Sequence, residues 1–211
     1  LGNPGTGKTT TAQIYGRILK ALNLLSDGTV ELKTPADLTD SVVGGTVEKT
    51  SALLENCKGK VLVIDEAYAL HSTTGINYGR EAIDTLVSKV HNAPGEDIAV
   101  IMCGYEADMR KMLLEQNPGL ARRFNLDAAF RFDDFSDAEL RKILVNAARK
   151  DGLVVPRAVA DAAVAYLAKA RARPNFGNAG AVMTLPRFFF DPLNLLDLLA
   201  ILPWYYQRVQ E

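Results

Sequence analysis

Eight residues near the start restrict what this chain can fold into more than any other feature. Gly2-Asn3-Pro4-Gly5-Thr6-Gly7-Lys8-Thr9 satisfies the pattern GxxxxGK[ST]. Glycines at these places let the backbone wrap so that successive N–H groups point at phosphate oxygens. The helix that follows adds the partial positive charge of its N-terminus, the lysine reaches the outer phosphates and the Thr9 hydroxyl ligates Mg²⁺. Residues Thr10 to Ala21 read as that helix, with Ala12, Ile14, Tyr15, Ile18 and Leu19 at helical spacing. Gly2 to Thr10 are therefore the candidate phosphate ligands. A Gly-rich turn matching by chance is the competing reading.

Such a loop follows a buried strand, and only Leu1 precedes it. An internal strand missing from a parallel sheet exposes its neighbours' hydrogen-bonding edges and removes a layer of core. The expectation is a fragment of a longer polypeptide, insoluble or molten when expressed alone.

Val61-Leu62-Val63-Ile64-Asp65-Glu66 is a continuous apolar run ending in two carboxylates. Unbroken apolarity suits a parallel strand covered on both faces. At the strand's end Asp65 is placed to hold Mg²⁺ through its water shell opposite Thr9, and Glu66 to polarise an attacking water. An ordinary strand ending in surface acids is the bland alternative. A second run, Ile98 to Tyr105, reads as another parallel strand. Between the two strands Ala82, Ile83, Leu86, Val87 and Val90 mark a helix. Tyr105 and Glu106, just past the second run, are weaker candidates for sensing the terminal phosphate, Tyr105 being equally suited to packing.

Composition narrows the rest. With 24 Lys+Arg against 25 Asp+Glu the net charge is −1, which excludes a strong electrostatic claim on nucleic acid or anionic lipid. Cys57 and Cys103 form no CxxC or Cys/His cluster, so structural zinc and a disulfide scaffold are not expected and a reducing compartment, cytoplasm or plastid, fits.

Taken in order, Gly2–Thr9, Val61–Leu70, Tyr78–Val87, Cys103-Gly104-Tyr105 and Asn117–Phe124 (NPGLARRF) resemble the CbbX/SpoVK-like branch of AAA+ ATPases, from about residue 1 to about 182. That branch includes red-type Rubisco activases. The resemblance implies an α/β fold, a P-loop NTPase parallel sheet flanked by helices and here lacking its first strand, followed by a small helical lid. It implies ATP and Mg²⁺ as cofactors and a self-assembled ring, usually a hexamer, acting on a protein substrate. The family's arginine finger, which completes the neighbour's site, matches Arg123, with Arg122 adjacent. A guanidinium there stabilises charge developing in phosphoryl transfer; a solvated or ion-paired basic pair is the alternative. Two positions depart from the family. The pore-loop stretch Asp40 to Thr46 has no aromatic residue, and Gly180 in Gly177-Asn178-Ala179-Gly180 stands where a sensor arginine is usual.

Ser136-Asp137-Ala138-Glu139 is a capping box that opens a helix to about Lys150, and Pro156 starts another. These fit the lid, giving expected domains of 1–135, 136–183 and 184–211. The last stretch differs in composition: Phe188, Phe189, Phe190, Trp204, Tyr205 and Tyr206 are crowded into it. Leu193 to Tyr206 resembles the start of the third transmembrane helix of a voltage-sensor domain in cation channels. Its 14 residues fall short of the ~20 that span a bilayer, and Asp197 sits in the middle. An apolar C-terminal helix packed on the lid, a genuine fusion and a gene-model join all stay open, with membrane association through residues 185–206 resting on the second.

The leading expectation is Mg²⁺-dependent ATP hydrolysis coupled to remodelling of a protein partner, with Lys8, Glu66, Arg122 and Arg123 as the catalytic set. The alternatives are a nucleotide-regulated assembly module with little hydrolysis and a remnant joined to a channel fragment.

Overall fold

The computed structural model describes residues 1–71, 78–91, 93, 95–169, 171 and 176–190. The chain divides into two units. Leu1–Gly2 and the described residues of Gly7–Phe132 form the first; Asn3–Thr6 and the described residues between 133 and 190 form the second.

In chain order the elements of the first unit are α1 (Lys8–Ala21), β1 (Val30–Lys33), α2 (Pro35–Leu38), α3 (Gly45–Asn56), β2 (Val61–Ile64), a 3-10 turn at Ala67–Leu70, α4 (Tyr78–Lys89), β3 (Ala99–Met102), α5 (Glu106–Glu115), α6 (Pro118–Arg123) and a second 3-10 turn at Leu126–Ala128. The three strands form a parallel sheet in the order β1-β2-β3, with Val61 opposite both Val30 and Ala99. Alternation along β2 separates two cores. Leu62 and Ile64 pack with Leu38, Leu54, Ile83, Leu86 and Met112 on one face. Val61 and Val63 pack with Ala12 and Leu25 on the other, the α1 side. All four β2 residues are buried, as an unbroken apolar run in a parallel sheet requires.

Three elements differ from the sequence expectation, β3 being only Ala99–Met102 within the expected Ile98–Tyr105 run. α1 begins at Lys8, two residues before Thr10, because left-handed Gly7 (φ 95°) turns the chain straight into it. β1 was not anticipated: Val30-Glu31-Leu32-Lys33 alternates over only four residues, too short a run to stand out.

The second unit is helical: α7 (Asp137–Lys150), α8 (Arg157–Ala168) and α9 (Asn178–Phe190). Ser136 and Glu139 form the expected reciprocal cap on α7. Leu140, Leu144, Ala160, Val164, Phe176 and Val182 make its core. α9 runs without a break through residues 183 and 184, where the composition changes. No described helix is long and apolar enough to cross a membrane. The channel-like stretch from Leu193 to Tyr206 lies outside the described residues.

Candidate nucleotide site

The first unit positions the loop's two ends. Gly2 N–H donates to Gly104 O (3.2 Å), which ties the loop's start to the C-terminal end of β3. A Cβ on Gly2 would lie 2.4 Å from Phe132 O, so only glycine fits this approach. Lys8 Nζ donates to Gly2 O (2.9 Å), drawing the loop's two ends together. Gly7 caps α1 with no side-chain bond, and the helix has no acidic residue in its first turn. The N–H groups of Lys8, Thr9 and Thr10 thus lie at the end of a 14-residue helix whose first turn carries no acidic residue of its own.

The loop's middle belongs to the second unit. Asn3 Nδ2 donates to Asp134 Oδ1 (2.9 Å), and Thr6 Oγ1 donates to Asn3 O (2.8 Å). Asn178, fully buried with φ 44°, donates Nδ2 to Pro4 O (3.2 Å), Asp134 Oδ1 (2.8 Å) and Phe176 O (3.2 Å). Ala179 N–H donates to Gly5 O (3.2 Å), and a Cβ on Gly5 would lie 2.1 Å from Gly177 O. Asn178 is a positioning residue that the sequence reading passed over. Its signal, an Asn flanked by glycines ahead of an apolar helix, is shared with ordinary turns.

Asp65 and Glu66 follow β2 directly. Asp65 N–H donates to Lys33 O (2.8 Å), and its Oδ1 accepts from Glu66 N–H (3.1 Å). Glu66 is exposed and left-handed (φ 51°), an uncommon conformation for a non-glycine residue that turns the backbone off the strand. Burial pushes the Cys103 thiol up; Asp65 pushes it the same way and Lys8 opposes. The loop lysine and the strand-end aspartate therefore both act on one sulfur at the C-terminal edge of the sheet. Tyr68 and Tyr105, with rings 5.6 Å apart, are likewise raised first by burial and then by Glu66.

Arg122 and Arg123, side by side in sequence, differ in environment. Arg123 donates Nε to Val90 O (2.6 Å) and Nη1 to Gly119 O (3.1 Å); Arg122 is exposed. Glu106 is not available as a phosphate sensor. Arg131 and Arg110 hold it (3.1–3.3 Å) and keep its carboxyl below the usual range.

Phosphate-facing donors and carboxylates thus share the strand-end edge of a parallel sheet flanked by helices, which is the arrangement of a P-loop nucleotide-binding protein. A family model for "ATPase family associated with various cellular activities (AAA)" matches residues 1–127. The chain is 39% identical over 185 residues to Protein CfxQ of Xanthobacter flavus, covering 86% of this chain and 56% of that protein. It is 40% identical over 142 residues to Stage V sporulation protein K of Bacillus subtilis (67% and 43%). To the chloroplastic ribulose bisphosphate carboxylase/oxygenase activase of Cyanidioschyzon merolae it is 36% identical over 185 residues (87% and 59%). This chain belongs to the AAA ATPase family, and it spans about half the length of the curated relatives it matches.

Proposed function

We propose that the chain binds ATP with Mg²⁺ and hydrolyses it as one subunit of a ring that remodels a protein partner. The observation that carries this is the loop's tie from Gly2 N–H to Gly104 O just past β3, with Lys8 Nζ on Gly2 O and Asp65 just past the paired strand β2, beside an α1 N-terminus with no side-chain cap and no acid in its first turn. That donor set fits a triphosphate with its cation. Backbone N–H groups from Gly2 to Thr10, through Asn3, Pro4, Gly5, Thr6 and Gly7, would hold phosphate oxygens, and Lys8 the outer phosphates. Thr9 and Asp65 would hold Mg²⁺, which when bound neutralises charge on the phosphates. Glu66, turned off its strand and exposed, orients the attacking water and takes its proton. Arg122 and Arg123 are assigned to the neighbouring subunit's site, Arg122 as the projecting guanidinium and Arg123 as its support.

The hexamer is what the family resemblance implies, and a protein substrate is supported by a relative that is named as an activase of another enzyme. The contact surface proposed for the substrate is the loop before α3, where Val42 and Val43 are 65% and 91% exposed. Thr46, through its bonds with Asp40, and Tyr78, donating to Ser41 O, brace the base of that loop. A reducing compartment, cytoplasm or plastid, goes with the two buried thiols. The second reading, nucleotide-driven assembly with little turnover, is favoured by Gly180, which offers no side chain where the family places a sensor.

Steady-state phosphate release, measured beside equilibrium binding of a fluorescent ATP analogue, separates the two. Turnover that Glu66→Gln removes while binding persists supports hydrolysis; binding and assembly with no turnover in the unaltered chain supports the second reading and overturns the first.

A further inference from the structure

Glu66 heads the 3-10 turn that follows β2, and His71 ends it. The turn is fixed at several points. Ala67 N–H donates to Cys103 O (2.9 Å), His71 N–H donates to Tyr68 O (2.9 Å), and Ala67 and Leu70 are fully buried. The His71 side chain is only 13% exposed, and both of its ring nitrogens are bonded. Nε2 lies 3.0 Å from Glu115 Oε2, and Nδ1 lies 2.9 Å from Gln116 Nε2. An ionised carboxylate only accepts, so Nε2 carries the hydrogen and Nδ1 accepts from the amide. One ring on the strand-end turn thus grips two consecutive residues at the C-terminal end of α5.

Those two residues stand at the corner where α5 gives way to α6. Gln116 leaves the helix (φ −90°, ψ −84°), and Asn117 opens the next one. Asn117 Oδ1 accepts from Gly119 N–H (2.7 Å), and its Nδ2 donates to Asp84 Oδ1 on α4 (2.6 Å). α6 has only six residues. A helix so short has no stability of its own and takes the direction that its ties impose. Leu120 anchors its buried side, Arg123 its end and the corner its start. Arg122, exposed on this helix, is placed by those ties.

We infer that His71 is a positioning residue for Arg122. It fastens a subunit's arginine-bearing helix to the end of the strand that carries the same subunit's Asp65 and Glu66. The turn is the rigid partner, pinned to the sheet and buried. Loss of the ring therefore leaves Glu66 in place and frees the corner of α6. In a ring of subunits, the defect of a chain without His71 falls on its neighbour's site and not on its own. This placement of the defect rests on the assignment of Arg122 to the neighbouring site made above; the fastening of α6 does not.

Steady-state phosphate release by the chain, its variants and their equal mixtures tests this. His71→Ala is expected to lower kcat at least ~10-fold with the KM for ATP unchanged, because a displaced guanidinium costs rate and not ground-state binding. His71→Asn, whose Oδ1 can replace Nδ1 as acceptor for Gln116, should recover most of the loss. Gln116→Leu should reproduce it with His71 intact. Mixed rings then locate the defect. Lys8→Ala chains lack a working site but supply Arg122. Mixed with them, His71→Ala chains should recover to about a quarter of the parent's rate, since about one interface in four pairs an intact site with a well-placed arginine. Mixed with Arg122→Ala chains, they should stay at least ~10-fold below the parent. Recovery with Arg122→Ala chains places the defect in the chain's own site and overturns the inference. Recovery in neither mixture, where Lys8→Ala and Arg122→Ala chains do restore each other, reduces His71 to a fold contact and overturns it as well. Where those two fail to restore each other, the reading of Arg122 falls instead, and amide exchange judges the fastening. Residues 117–123 should exchange at least ~10-fold faster in His71→Ala than in the parent; equal exchange overturns the fastening too.

Discussion

Arg123 anchors its own subunit. Its bonds to Val90 O and Gly119 O satisfy carbonyls at the end of α4 and in the first turn of α6. Arg123→Ala is expected to destabilise by about 1–2 kcal/mol, discounting charge-assisted bonds for partial exposure, read as a fall of a few degrees in Tm. Arg122→Ala should leave Tm unchanged and lower turnover ~10³-fold or more with nucleotide binding kept. Turnover surviving Arg122→Ala but lost on a milder change, Arg123→Lys, would reverse the assignment. Sequence alone could not separate the pair: neighbours on a helix point about 100° apart, and which one meets the α4 carbonyls is settled only by how α6 docks. Glu106 shows the same limit. It was legible as a carboxylate near the site, but its guanidinium partner Arg131 lies 25 residues away. Because Arg131 and Arg110 depress the Glu106 pKa, their contribution is complete above the ordinary carboxylate value of about 4.3 and fades as pH falls through the lowered one. Glu106→Gln should therefore flatten the acid side of a Tm-against-pH curve below about pH 4.3; an unchanged slope there would show that the cluster carries no stability.

Among the elements, β2, β3, α4 and α7 were readable because each carries its own signal: an unbroken apolar run, a 3.6-residue stripe or a capping box. The start of α9 was not. Gly177-Asn178-Ala179-Gly180 has the composition of a turn, yet the buried Asn178 side chain receives Phe135 N–H and donates to three oxygens of the second unit. Asn178→Ala leaves several of these buried groups unpaired and should cost roughly 2–4 kcal/mol, visible as loss of the α7–α9 core's exchange protection. Gly180, two positions on, is tolerant: a Cβ there meets no described atom within 4 Å. Gly180→Arg should therefore fold at least as well as the parent, with Gly-to-Arg in a helix adding several tenths of a kcal/mol. If a missing sensor guanidinium limits turnover, the same substitution raises it severalfold; unchanged turnover in a stable variant would mean that another residue already fills that role.

On the scale of the molecule, the parallel sheet and the helical second unit were legible, since strand and helix periods differ along the chain. The division of the phosphate loop was not: Asn3–Thr6 sort with residues more than 125 positions away, through hydrogen bonds that no local pattern encodes. What the sequence leaves to be established is whether one chain's site needs another chain's arginine. Complementation answers this without knowing the substrate. Lys8→Ala removes the phosphate-binding lysine but keeps Arg122; Arg122→Ala keeps the site but removes the guanidinium. Each alone should be inactive. In a head-to-tail ring assembled at random from equal amounts, half of the intact sites' neighbours still carry Arg122, so about a quarter of all interfaces pair an intact site with an intact arginine. Phosphate release in the mixture should then recover to about a quarter of the parent's rate, and should fall on dilution as rings dissociate. A mixture as inactive as its components, at concentrations where mass measurement shows mixed rings, would mean that the arginine acts within its own chain or not at all.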